Sequence, residues 1–122
     1  MRTFRLFAHN SLNALCHSLC MFAVFRSAAF ERELERMPNE FVRWANKVED
    51  QLRINHYRGR PLRVPWFREM KRGKFRIYYL VYEEFQIVYL VGLSEKRDQQ
   101  RVIDAIWLFL DTYREEILSL LR

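Results

Sequence analysis

The stretch KFRIYYLVYEEFQIVYLVG, Lys74 to Gly92, decides the fold. It contains two runs rich in Ile, Val, Tyr and Phe, residues 74–82 and 85–92, separated by Glu83 and Glu84. β-Branched and aromatic side chains suit a pleated surface, so the pattern predicts two neighbouring antiparallel strands. Apolar residues occur at both parities of each run, which places the pair centrally in a sheet covered on both faces.

Working upstream, Arg72-Gly73 supplies a glycine able to take positive φ in a hairpin turn, and residues 62–70 read as the strand before it. Pro65 lacks an amide hydrogen, which restricts that part of the strand to an edge or a bulge. Residues 55–61, with Gly59 and Pro61, read as a loop. Further back, Phe41, Ala45, Val48 and Leu52 repeat at helical spacing within residues 39–54, and Phe30, Leu34 and Met37 do so within 28–37. Pro38 separates these two helices, which form a hairpin with one apolar seam. Ser27 is placed to cap the first helix, and MFAVFR at 21–26 reads as a first strand. Downstream, Val102, Ile106, Leu110, Tyr113, Ile117 and Leu120 form one stripe of a long final helix over 98–121. The sum is a single α+β domain over residues 21–122: a small, largely antiparallel sheet, an N-terminal helical hairpin and a long C-terminal helix.

The 122-residue chain, half of it hydrophobic, has material for one core and excludes both disorder and a multidomain enzyme. Its net charge of +6 is unevenly spread. Between Arg53 and Arg76 stand nine basic residues against the single acid Glu69, a local +8 that leaves −2 for the remainder. Tyr57, Trp66, Phe67 and Phe75 interleave with these cations, the combination that grips phosphates and stacks on bases. A solvated basic hairpin that binds an acidic protein segment is the other reading of the same residues. Residues 1–20 contain no uninterrupted apolar run of membrane-spanning length and read as an extension before the domain. Cys16, His17 and Cys20 lack a second pair of ligands, so neither a metal nor a disulfide framework is expected.

No glycine-rich phosphate loop, histidine-based metal motif or nucleophile elbow occurs, and the three histidines are scattered at 9, 17 and 56. Polar chemistry therefore falls to Arg, Lys and Tyr. That inventory suits cleavage of RNA by its own 2′-hydroxyl, which needs a base, cations for the charge developing on phosphate oxygens, and an acid for the leaving 5′-oxygen. Lys71 and Lys74 are crowded by Arg72 and Arg76, and like charge favours the neutral, basic form of a lysine. Arg76 lies within a central strand, where it reads either as an ion pair with a helix carboxylate or as a phosphate clamp. Lys96 and Arg97, at the start of the final helix, are placed to face the same ligand.

The residues FAVFRSAAFERELERMP, GRPL, REMKRGKFRIYYLVYEE and IVYLVGLSEKRDQQRVIDAI, spanning Phe22 to Ile106, resemble the RelE/ParE superfamily of toxins from type II toxin–antitoxin systems. The resemblance implies a cytoplasmic toxin held by a cognate antitoxin. For RelE-like members it further implies a cofactor-free, metal-free endoribonuclease acting on messenger RNA in the ribosome. It assigns the strand arginine to Arg76 and the second catalytic arginine to Arg97, with Lys71 as the general base. Arg68, Arg72, Lys74 and Lys96 are then the RNA- and phosphate-binding residues. The direct register sets Phe67 and Glu69 where the family has lysines, and a shorter turn brings Lys71 and Arg68 into that neighbourhood. The family's tyrosine falls on Ile103, which leaves Tyr78 or Tyr82 as substitute acid, or either as a core residue. That departure keeps open a ParE-like inhibitor of DNA gyrase or a non-catalytic relative of the fold. Finally, Trp107, Leu108, Phe109, Leu110, Ile117, Leu118, Leu120 and Leu121 exceed what one helix face can bury, a surface for residues 1–20, for antitoxin or for a second copy of the chain.

Overall fold

The structure is a computed structural model that describes residues 21–122. The expected extension over 1–20, with His9, Cys16, His17 and Cys20, lies outside the described residues. Five strands form one sheet: β1 (Ala23–Arg26), β2 (Arg60–Leu62), β3 (Val64–Arg72), β4 (Phe75–Tyr82) and β5 (Ile87–Glu95), in the order β1-β5-β4-β3-β2. β1 runs parallel to β5 and every other pairing is antiparallel.

The two runs that open the sequence argument are β4 and β5, and they occupy the centre of the sheet. Helices α1 (Ala28–Leu34) and α2 (Asn39–Ile54) cover one face. There Phe30, Leu34, Phe41, Ala45, Val48 and Leu52 pack on Ile77, Tyr79, Val88 and Leu90, with Trp44 joining the seam. Ser27 accepts a hydrogen bond from the Phe30 amide at 3.0 Å, which caps α1 as its position predicts. Helices α3 (Gln99–Leu108) and α4 (Leu110–Leu121) cover the opposite face, where Ile103, Ile106 and Ile117 pack on Phe67, Tyr78, Leu80, Ile87 and Tyr89.

Two sequence expectations are corrected. The final helix is not continuous: Phe109 leaves helical geometry at φ −106° and ψ 18°, so α3 and α4 meet at a break. With the break Ile117 is fully buried, while Leu108, Phe109, Leu120 and Leu121 stay exposed. The segment read as loop up to Pro61 also ends in a short strand, β2, which turns into β3 through Arg63 at φ 75°. A proline-containing strand is acceptable here because β2 is an edge.

A bulge in β5 sets the geometry of the functional end. Tyr78 pairs with Gly92 and Tyr79 with Leu90, so Val91 is an extra residue. The parity of β5 changes there. Gly92 consequently lies beneath α3, where an added Cβ would come within 3.2 Å of the Ile106 side chain, and Ser94 shares a face with Tyr78. Gly59 makes an even closer approach. A Cβ on it would collide with the backbone carbonyl of Glu69 and stand 2.8 Å from the Tyr79 hydroxyl, which accepts a hydrogen bond from the Gly59 amide. Gly59→Ala is therefore expected to destabilise the fold by about 1–3 kcal/mol, read as a lower urea midpoint at unchanged m-value.

Candidate functional site

The β3–β4 hairpin and the end of β5 bring the predicted cations to one end of the sheet. Lys71 stands opposite Arg76, and Arg76 opposite Ser94. Paired residues share a face, so Lys71, Arg76 and Ser94 form one row across three strands. Glu69 and Tyr78, with Gly92, form the next row inward. Beyond β5 a 3₁₀ turn, Lys96–Asp98, carries Lys96 and Arg97; the Lys96 amide donates to the Lys74 carbonyl at 2.7 Å, which ties this turn to the hairpin.

Arg76 is the unusual member of the row. It is 6% exposed and has no carboxylate partner among the described residues, so the ion-pair reading fails. Its Nη1 donates to the carbonyls of Gly73 and Phe75, at 2.8 and 3.1 Å, and its buried Nε has no acceptor among the described residues. A buried guanidinium with an unused donor is costly unless an anion completes it. Lys71 is exposed beside it and joins no ion pair among the described residues. Arg97 is 81% exposed, with Nε 3.6 Å from Glu95, which also receives Lys74 at 3.8 Å. These are loose contacts that an incoming phosphate can replace.

Other predicted residues have different placements. The donors of Arg68 are engaged by the protein itself: Nε and Nη2 donate to the Gly59 carbonyl, Nη2 to Tyr57 and Nη1 to Pro65, and its guanidinium lies 4.9 Å from the Tyr57 ring. This arginine holds the 57–59 loop against β3. Arg72 and Lys74 line a separate cavity of about 240 Å³ with Glu40, Phe41 and Trp44, on the side of the α1–α2 hairpin. The basic hairpin thus divides its charge between two faces, a split that period-two parity at 71 and 72 already implies. Tyr82 pairs with Ile87 at the far end of β4, six residues and about 20 Å from Arg76 by strand rise. It is too remote to serve as acid there. Burial pushes its hydroxyl up to about 12. Tyr78 is near the cations but fully buried; its hydroxyl is 2.9 Å from the Ser94 hydroxyl, and burial raises its pKa. Ile103, where the resemblance would have the family's tyrosine, is part of the apolar core under α3.

One residue had no functional assignment from sequence. Glu69 is 2% exposed and stands between β2 and α3. Its Oε2 accepts from Arg60 Nε and Nη2, at 3.1 and 2.5 Å, and its Oε1 accepts from Gln99 Nε2 at 2.8 Å. Its position as the only acid within the basic block is the signal that singles it out. Beside it, Arg60, Pro61, Leu62 and Arg63 face Gln99, Gln100, Ile103 and Trp107 across a groove of about 360 Å³. Among the described residues no cluster of three or more His, Cys, Asp or Glu is arranged to hold a metal, and no helix is long and apolar enough to cross a membrane.

No family model and no curated protein matches the chain. Solved structures do. A RelE toxin mutant from E. coli in the free state superposes with a TM-score of 0.61 at 11% identity, over 70% of this chain and 95% of that one. The toxin–antitoxin complex RelBE2 from Mycobacterium tuberculosis gives 0.56 at 20% identity, over 63% and 93%. The isolated E. coli RelE toxin gives 0.52 at 13% identity, over 70% and 98%. The chain has the RelE-like toxin fold.

Two outcomes follow from the site. Arg76→Met removes a buried, incompletely bonded cation and is expected to stabilise the ligand-free protein by about 1–2 kcal/mol in urea denaturation. Tyr82, held neutral in the folded state, contributes stability in full below pH 10, the ordinary tyrosine range, and loses it as the pH rises toward 12. Tyr82→Phe should therefore show a shallower loss of unfolding free energy across that interval.

Proposed function

We propose that this chain is the toxin of a type II toxin–antitoxin pair and acts as a metal-free endoribonuclease on messenger RNA in the ribosome. The observation that carries the reading is the buried Arg76, which has no counter-ion and an unbonded Nε among the described residues, in one row with Lys71 and next to the Lys96–Arg97 turn. The RelE-like fold and the similarity to a toxin solved in a toxin–antitoxin complex support it.

In this reading a scissile phosphate enters over the Lys71–Arg76–Ser94 row. The Arg76 and Arg97 guanidinium groups donate to the non-bridging oxygens, and their charge stabilises the pentacoordinate transition state. Lys71 faces Arg76 across the hairpin and is exposed to the incoming RNA. It accepts the 2′-hydroxyl proton, the 2′-oxygen attacks phosphorus, and the P–O5′ bond breaks. Lys96 holds a flanking phosphate. The 5′-oxygen leaves with a proton from water, since Tyr78 is enclosed and Tyr82 distant. The exposed Leu108, Phe109, Leu120 and Leu121 form the apolar surface on which an antitoxin segment is seated.

Inducing the protein and mapping transcript 5′ ends tests the reading. Cuts confined to translated codons are expected, and the Arg76→Ala, Arg97→Ala double variant should lose cutting by at least 100-fold, on the order of two removed transition-state contacts. Intact messages with accumulating DNA breaks would instead indicate the gyrase-directed branch of the fold.

A further inference from the structure

The groove between β2 and α3 adjoins the row of cations but contains none of the groups that cleavage requires. Its walls combine apolar surface from Pro61, Ile103 and Trp107 with the cations Arg60 and Arg63 and two amides, of which Gln100 is exposed and donates to Asp104 on its own helix, and Gln99 is partly buried and donates to Glu69. Gln99 directly follows the Lys96–Asp98 turn, so it connects the groove to the segment bearing Arg97. At about 360 Å³ the groove falls in the range of small-ligand sites.

The amide's orientation is dictated by its neighbour. Glu69 is buried and doubly bonded by Arg60, a carboxylate that only accepts hydrogen bonds. Gln99 must turn its Nε2 toward it, and does so at 2.8 Å. Flipping the amide would set oxygen against oxygen beside a buried charge. The Gln99 Oε1 is consequently held away from Glu69, and no donor among the described residues bonds it. A primary amide carries one N–H on the same side as its oxygen, and with the other donated to Glu69 this one is left for a ligand. Gln99 therefore offers an acceptor and a donor side by side along a partly exposed edge.

Resting on the RNA reading above, we propose that this groove is a nucleobase subsite in which Gln99, locked by Glu69, selects bases carrying an amino group next to a ring-nitrogen acceptor. On the base edges away from the sugar, adenine (N6 beside N1 or N7) and cytosine (N4 beside N3) present that pattern, and guanine and uracil carry an oxygen there in place of the amino group. A glutamine amide matches adenine in two hydrogen bonds, and each such pair discriminates by roughly tenfold or more against a mismatched base. The base lies against Ile103 and Trp107, with its phosphate directed toward Arg97.

Fluorescence anisotropy of the full chain with labelled tetranucleotides of A, C, G and U, at one fixed salt concentration, tests this without requiring cleavage. Tighter binding of the A and C oligomers, on the order of tenfold over G and U, is expected. Gln99→Leu should reduce that ratio toward one, and Glu69→Gln, which permits the amide to flip, should reduce it as well. The A and C arms separate the two accepted bases. Equal affinity for all four, a preference for G or U, or a preference that survives Gln99→Leu would overturn the proposal. Where a variant fails to fold in thermal denaturation, the wild-type ratios and the other variant decide. Base-selective binding without cuts in cellular transcripts would sink the nuclease reading and leave the subsite standing.

Discussion

Coverage of the sheet on both faces is the constraint from which the rest follows. α1 and α2 seal one side of β4 and β5, and α3 and α4 seal the other, so β4 has no solvent face along most of its length. Such a strand should be apolar throughout. Ile77 to Val81 obey that requirement, and Arg76 violates it in the adjoining position. A violation of this kind persists where binding compensates for its instability. The charged residue is inseparable from the architecture, since the strand that makes it expensive also fixes its position between Lys71 and Ser94.

Glu69 is a second consequence of the same enclosure. Without water, its carboxylate has to be met by protein donors, and those come from two elements that do not otherwise share a strand pairing, β2 through Arg60 and α3 through Gln99. The acid thereby gathers the edge strand and the start of α3 around one groove and determines which way an amide points. Most of the charge excess near this groove is exposed, whereas Arg76 and Glu69 are buried. In the proposed function, affinity and selectivity accordingly have different physical origins: long-range attraction from Lys71, Lys96 and Arg97, and short-range geometry from Arg76, Glu69 and Gln99.

Much of the fold was legible because it rests on periodicity. The β4 and β5 runs, the seam of Phe41, Ala45, Val48 and Leu52, and the Ser27 cap follow from side-chain spacing and local hydrogen bonding alone. The break at Phe109 was not legible, because an interrupted amphipathic stripe and a continuous one have the same composition, and only packing on a curved sheet distinguishes them. At the site, Arg76, Lys71 and Arg97 share an end of the sheet as their strand positions suggest. Arg68 was unreadable for another reason: its donors are occupied by carbonyls of the 57–59 loop, a tertiary contact with no sequence period. Tyr82 shares a parity with Arg76, but parity specifies a face and not a distance along it.

The central claim is that Arg76 is held open for a phosphate, and nitrogen-15 NMR of its side chain addresses this most directly. On titration with a short RNA blocked by 2′-deoxy substitution at the scissile nucleotide, the Arg76 guanidinium N–H signals should move downfield as the group gains an anionic acceptor, with saturation at the affinity measured by anisotropy. An Arg76 resonance that stays fixed while only signals from the exposed cations on the other face of the hairpin respond would contradict the account.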